Sequence, residues 1–160
     1  MTAAWKSLPE DPPSPLRNVT ESDLDTIALL DHAIFTRDSY SYTVLRQFYD
    51  LYAKHFLVLD DDRGNIQGYV LVGTNRDGES WVLGLGITED QRGRGLGRRL
   101  MSDVLSRLST DGVREVSLSV APGNVAAIDL YKSLDFTTDG ELRENYFGPG
   151  GDRYIMVRHL

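Results

Sequence analysis

Three glycines and four arginines crowd into the stretch Arg92-Gly-Arg-Gly-Leu-Gly-Arg-Arg99, the part of the sequence whose residue types point most directly to chemistry. Gly93, Gly95 and Gly97 let a backbone approach a ligand closely. An apolar run that reads as a strand, Trp81 to Ile87, precedes them, and Leu96, Leu100, Val104 and Leu108 follow at helical spacing. A helix start carries unbonded N–H groups and the positive end of the macrodipole, so this loop is an anion site. Arg92, Arg94 and Arg98 add charge suited to a diphosphate or a ribose phosphate. Two other phosphate loops do not fit. No Gly-x4-Gly-Lys-Ser/Thr occurs, and glycines at 93, 95 and 97 do not make the Gly-x-Gly-x-x-Gly of a dinucleotide site.

Other chemistries find little support. The three histidines, His32, His55 and His159, are far apart, and there is no cysteine, so no thiolate nucleophile, disulfide or metal centre is expected. A formal net charge of -7 argues against a nucleic-acid surface and favours cationic substrates such as amines. With 41% apolar and 26% charged residues and no 18-residue apolar run, nothing reads as a membrane span. Met1 to Pro15 carries four prolines and no apolar signal-peptide core, which predicts a flexible lead-in and a cytoplasmic location.

The elements that must position the loop follow from pattern. Leu16 to Val19 reads as a short strand. Thr20 and Asp23 make a helix start, and Leu24, Ile27, Leu30 (or Ala28) and Ile34 supply the apolar stripe of a helix over 21–35. A polar, aromatic-bearing loop over 36–41 leads to a helix over 43–54. Residues 55–60 and 66–73 form a hairpin about the turn 61–65, and 81–87 a further strand. After the helix that Asp111-Gly112 stops come a strand over 113–120, a helix over 125–134, and a final strand pair, 136–143 with 153–159. One domain over 16–160 accommodates this order: an α/β fold with a mixed, mostly antiparallel sheet of six to seven strands and about four helices on both faces.

Arg92-Gly-Arg-Gly95-Leu-Gly97 resembles the Arg/Gln-x-x-Gly-x-Gly/Ala signature of the GNAT superfamily of N-acetyltransferases. Asn124-Val-Ala-Ala127-Ile-Asp-Leu130-Tyr131-Lys-Ser-Leu-Asp135-Phe136 is similar to that family's Asn-x-x-Ala-x-x-Leu-Tyr-x-x-x-Gly-Phe segment, with Asp135 where glycine is usual. The resemblance implies acetyl-CoA as co-substrate and no metal. The amides and arginines of Arg92, Gly93, Arg94, Gly95, Leu96, Gly97 and Arg98 would hold its diphosphate. Leu85, Gly86 and Ile87 would bond the pantetheine arm from a strand that splays away from its neighbour, with Asn124 and Ala127 on the other side.

The implied reaction is direct attack of a neutral amine on the thioester, with Tyr131 giving a proton or hydrogen bond to the departing sulfur. The base is open: the family's base positions hold Ser119 and Trp81, leaving Glu79, Asp38 or a water chain past Ser119. Arg143-Glu-Asn-Tyr146-Phe147, with Asp152 to Met156, is similar to the tail of protein N-terminal acetyltransferases of the RimI-like branch. Tyr146 and Phe147 would then face Phe35, Tyr40 and Tyr42 across a peptide acceptor. The partner implied is a peptide or protein N-terminus, with no nucleic acid or membrane, and the chain a monomer or homodimer. Two other readings stay open: acetylation of a small-molecule amine, and an acyl-CoA sensor without turnover.

Overall fold

Arg17 ties three elements together at the start of the chain. Its guanidinium donates to Asp60 Oδ2 at 2.6 Å and to Asp23 Oδ2 at 2.7 Å, joining strand β1 (Leu16–Asn18), the end of β2 (Phe56–Asp60) and the entry to helix α1 (Leu24–Phe35). Asp23 also accepts from the Thr20 backbone at 2.7 Å and from the Thr20 hydroxyl at 2.9 Å. These bonds hold Glu21–Asp23 as a 3-10 turn, so the α-helix begins at Leu24 rather than at 21. This is a computed structural model, and it describes residues 16–160; the proline-rich lead-in of residues 1–15 lies outside the described residues.

After α2 (Tyr42–Tyr52), a 3-10 turn at Ala53–His55 replaces the last expected helical residues and leads into β2. Strands β3 (Ile66–Thr74), β4 (Glu79–Ile87), β5 (Glu115–Val120), β6 (Thr137–Thr138) and β7 (Tyr154–His159) complete a seven-stranded sheet in the order β1-β2-β3-β4-β5-β7-β6. Every neighbouring pair is antiparallel except β4 with β5. That parallel pair is joined by the crossover helix α3 (Leu96–Thr110), as a parallel connection requires. Helix α4 (Val125–Ser133) follows β5.

The sheet separates two cores. On one face α1 and α2 bury Leu24, Ile27 and Leu45 against Phe56, Val58, Tyr69 and Leu71. On the other, Leu100, Met101, Val104 and Leu108 of α3 and Tyr131 of α4 pack on Leu57, Val70, Val116, Leu118 and Met156. The expected fold class is the one observed, with seven strands and four α-helices among the described residues.

The end of the chain departs from the expected long strand pair. Only Thr137–Thr138 pairs with β7, and a single bridge, Arg143 with Arg153, follows. Between them Gly140, Asn145, Gly148 and Gly150 all take positive φ, which breaks a continuous strand and leaves a turn-rich rim. At the start of β4 the difference is in the other direction. Asn75 Oδ1 accepts from the backbone of Asp77 and Glu79, closing the hairpin tightly enough to begin the strand at Glu79.

Candidate active site

The parallel register runs Glu79 with Glu115, Ser80 with Val116 and Trp81 with Ser117, and there it stops. Beyond Trp81, β4 shifts register against β3: Val72 faces Val82, but Leu71 faces Gly84, leaving Leu83 as the extra residue of a bulge. A bulge bends a strand and raises its twist, and here it turns β4 away from β5. The result is a gap between Leu83–Ile87 on one side and Leu118–Val120 on the other, with backbone edges free of strand pairing across it.

Two features hold the bulge. The Tyr40 hydroxyl donates to the Leu83 carbonyl at 2.7 Å, so Tyr40, expected as an acceptor wall, spends its polar end on the strand. Gly84 and Gly86 accommodate the Tyr69 ring: a Cβ at Gly84 would meet the Tyr69 hydroxyl at 2.8 Å, and one at Gly86 would meet its ring at 2.9 Å. Tyr69 in turn donates to buried Asp31, which also accepts from the Tyr40 backbone at 2.7 Å. Burial and the Asp31 charge hold the Tyr69 hydroxyl well above the usual tyrosine range. Sequence reading missed this network. Asp31 falls on the buried side of α1, four residues after Ile27, and a carboxylate in an apolar stripe is the signal that could have found it.

The glycine-arginine loop closes the gap at one end. Gly93 and Gly95 take φ of +78° and +77°, and α3 starts at Leu96, where the first helical amides have no helical acceptor. A Cβ at either glycine would meet nothing within 4 Å, so both backbones are open to a ligand. Gly97 is different: a Cβ there would press on Leu130 at 3.3 Å, bringing α3 and α4 together. The arginines are exposed, with Arg92 donating to the Ile87 carbonyl at 3.2 Å and Arg98 to Ser133 on α4. Exposed amides and three cations beside an open strand edge fit the diphosphate and amide-bearing arm of a coenzyme A thioester.

Helix α4 enters from the other side. Asn124 caps it through Oδ1, which accepts from Ala127 N at 3.2 Å. The helix ends in a Schellman motif: Phe136 N donates to Tyr131 O at 3.0 Å and Asp135 N to Lys132 O at 3.1 Å, with Asp135 at φ +67°. Tyr131 and Phe136 complete it with rings 5.9 Å apart. The Tyr131 side chain is 8% exposed, and burial pushes its hydroxyl up to about 12.

The opposite face carries a groove of about 340 Å³ lined by Trp81, Ser117, Tyr146 and the acids Glu79 and Glu115. Its rim holds Tyr146 against Phe147 with ring centres 4.8 Å apart. Arg153 lies over the Phe147 ring at 5.0 Å and pairs with Asp38 at 3.2 Å, which links the rim to the α1–α2 connection. Phe35 is half-buried at the end of α1, next to that connection, and Tyr42 is exposed at the start of α2. Ser119 is half-buried on the groove face of β5. Glu79 does not stand with it: the Glu79–Glu115 row is four residues from Ser119, roughly 13 Å along the strand. Asp38, the other acidic candidate for the base, is held by Arg153. Among the described residues no group of acids and histidines forms a metal site, and no helix is long and apolar enough to cross a membrane.

Known proteins are similar to this chain in sequence and in fold. Residues 22–136 match the family model described as the acetyltransferase (GNAT) family. An N-terminal acetyltransferase complex ARD1 subunit homolog of Dictyostelium discoideum is 34% identical over 120 residues, 68% of this chain and 59% of that protein. An L-methionine sulfoximine/L-methionine sulfone acetyltransferase of Pseudomonas paraeruginosa is 30% identical over 65% of this chain and 64% of its own length. The matches thus span about three-fifths of these relatives. The solved structure of Ard1 from Thermoplasma volcanium superposes with a TM-score of 0.85 at 21% identity, over 92% of this chain and 98% of that one, which shows a common fold. With the family model covering most of the chain and its signature loop standing at the head of α3 beside a splayed strand, this chain belongs to the acetyltransferase (GNAT) family.

Proposed function

We propose that the protein transfers an acetyl group from acetyl-CoA to a primary amine, above all the α-amine of a peptide or protein N-terminus. The observation that carries this reading is the gap beyond Trp81, flanked by open loop amides on one side and by an aromatic-rimmed groove on the other. Bound in the gap, acetyl-CoA supplies an activated thioester. Gly93, Gly95 and the start of α3 hold its diphosphate, with Arg92, Arg94 and Arg98 adding charge. The free edge of Leu85 to Ile87 bonds the arm, and Asn124 and Ala127 bound it from the start of α4. Tyr146 and Phe147 border the acceptor, and Phe35 at the end of α1 is assigned to the same acceptor.

Tyr131 is the residue assigned to the sulfur. With its pKa near 12, full proton transfer to a thiolate whose own value is about 8.5 runs roughly 5 kcal/mol uphill, so the hydroxyl acts as a hydrogen-bond donor. The attacking amine needs little help to lose its proton. An α-amine with a pKa near 8 is already partly neutral at pH 7, and water past Ser119 carries the remainder. A lysine side chain near 10.4 does not share this advantage. A cytoplasmic location, where acetyl-CoA and new N-termini meet, belongs to the same reading.

A second reading, acetylation of a small amine, is favoured by the sulfoximine acetyltransferase relative and by a groove of small-molecule size. Steady-state assays following CoA release separate the two. Peptide N-termini are expected to give the larger kcat/KM, and amino acids or polyamines overtaking them would transfer the assignment to the second reading.

A further inference from the structure

Glu79 and Glu115 stand directly opposite each other on adjacent strands, an arrangement of like charges that costs stability. Only weak partners relieve it: Asn75 donates to Glu79 at 3.1 Å, and His159 approaches Glu115 at 3.5 Å on an exposed edge. Both carboxylates line the groove below the acceptor rim. Trp81 and Tyr146 line it too and stay 37% and 43% exposed, presenting aromatic faces where a large apolar side chain would otherwise be covered. Ser117 sits between them on β5. It is only 7% exposed yet lines the groove. A hydroxyl in a cavity wall offers one donor and two acceptor lone pairs to whatever occupies the cavity. The single cation of the lining, Arg143, is met by Asp139 at 3.9 Å, which leaves the Glu79–Glu115 end negative.

We infer that this groove is a subsite for a second positive charge on the acceptor. The inference rests on the transferase reading above and assigns Glu79 to binding rather than to the base. Strand spacing sets the ruler: Ser117 is two residues and Glu115 four residues before Ser119, so the second cation lies roughly 7 to 13 Å from the reacting nitrogen. A lysine or arginine side chain near the N-terminus of a peptide spans that distance, and so does a linear diamine. The ammonium or guanidinium would lie between the two carboxylates, donating hydrogen bonds to their oxygens while keeping its proton, and against Trp81 and Tyr146; the Ser117 hydroxyl would bond the adjoining polar group.

The test compares matched acceptors with acetyl-CoA. One arm uses peptides carrying lysine or norleucine at the second and third positions; the other uses an octane diamine against octylamine. Wild-type protein is expected to favour the charged member by about 10-fold or more in kcat/KM, mainly through KM. In the double variant Glu79→Gln with Glu115→Gln the advantage should fall to within about threefold, and Trp81→Leu should reduce it as well. Which arm shows the advantage identifies the source of the second charge, peptide or small amine. Because the double variant removes a repulsion, it should melt at or above the wild-type temperature. Equal use of charged and neutral acceptors by the wild type overturns the subsite. So does a double variant that loses kcat for both members alike while keeping their ratio, the signature of a lost base. Acetyl-CoA binding without transfer to any amine overturns the transferase reading itself, and the subsite with it.

Discussion

Tyr131 is where the account is most exposed to a single substitution. Tyr131→Phe retains the ring that packs on Phe136 and deletes the hydroxyl, so acetyl-CoA affinity should hold while kcat falls on the order of 10- to 100-fold, the loss of one transition-state hydrogen bond. Since the hydroxyl keeps its proton until about pH 12, neither protein should show an alkaline limb from this group below pH 10. The same burial makes a stability prediction. The folded value lies above the unfolded value of 10, so the unfolded chain loses its proton first. The contribution is therefore complete below pH 10 and is lost as pH rises toward 12. Between pH 9 and pH 11 the wild type should lose on the order of 1 kcal/mol more than Tyr131→Phe in urea unfolding; parallel losses would show that the hydroxyl is solvated. Motif spacing alone made this tyrosine visible. Asp31 and Tyr69 were not, because their partnership is a contact between α1 and β3 that no local pattern encodes.

Helix ends were the most legible elements, and the final hairpin the least. The cap at Thr20, the stop at Asp111-Gly112 and the turn at Asp135 rest on near-neighbour chemistry, which a sequence displays directly. At Asp135 the positive φ predicts that Asp135→Gly raises stability by about 0.5–1 kcal/mol, measurable as a higher Tm with activity unchanged. The sequence reading makes 136–143 one strand of the final pair, but continuous pairing ends at Thr138 and the chain turns along a rim up to 153. Its course is instead set by Gly148 and Gly150 at positive φ and by Asp152 accepting from Asn145 N at 2.8 Å. Gly151 fixes that turn, since a Cβ would meet the Phe147 carbonyl carbon at 2.8 Å and its oxygen at 2.9 Å. Gly151→Ala should therefore displace Tyr146 and Phe147 and raise the peptide KM several-fold, leaving acetyl-CoA affinity near wild type. An unchanged KM would remove the rim from the acceptor site. The bulge at Leu83 was equally hidden, because it arises from a Tyr40 hydroxyl 43 residues away in sequence.

At the scale of the whole molecule, the sheet is two antiparallel blocks joined by three parallel residue pairs, and the proposed site is the place where that joint opens. In the proposed reading, helices α3 and α4 on one face supply amides, arginines and Tyr131, while the face beside β5 and β7 carries the groove, so the two substrates would meet from opposite faces of one sheet. The loop contributes by backbone more than by side chain, so Gly95→Val, which puts a branched residue at φ +77°, should reduce acetyl-CoA affinity at least 10-fold in calorimetric titration while the domain still unfolds cooperatively. The most direct measurement mixes the protein with acetyl-CoA and a library of peptide N-termini and small amines, following CoA release and locating the acetyl group by mass spectrometry. CoA release stoichiometric with acetylation on the α-amine is expected, strongly reduced in Tyr131→Phe. Tight acetyl-CoA binding with no acetylated amine in any mixture would contradict the transferase reading and leave an acyl-CoA sensor in its place.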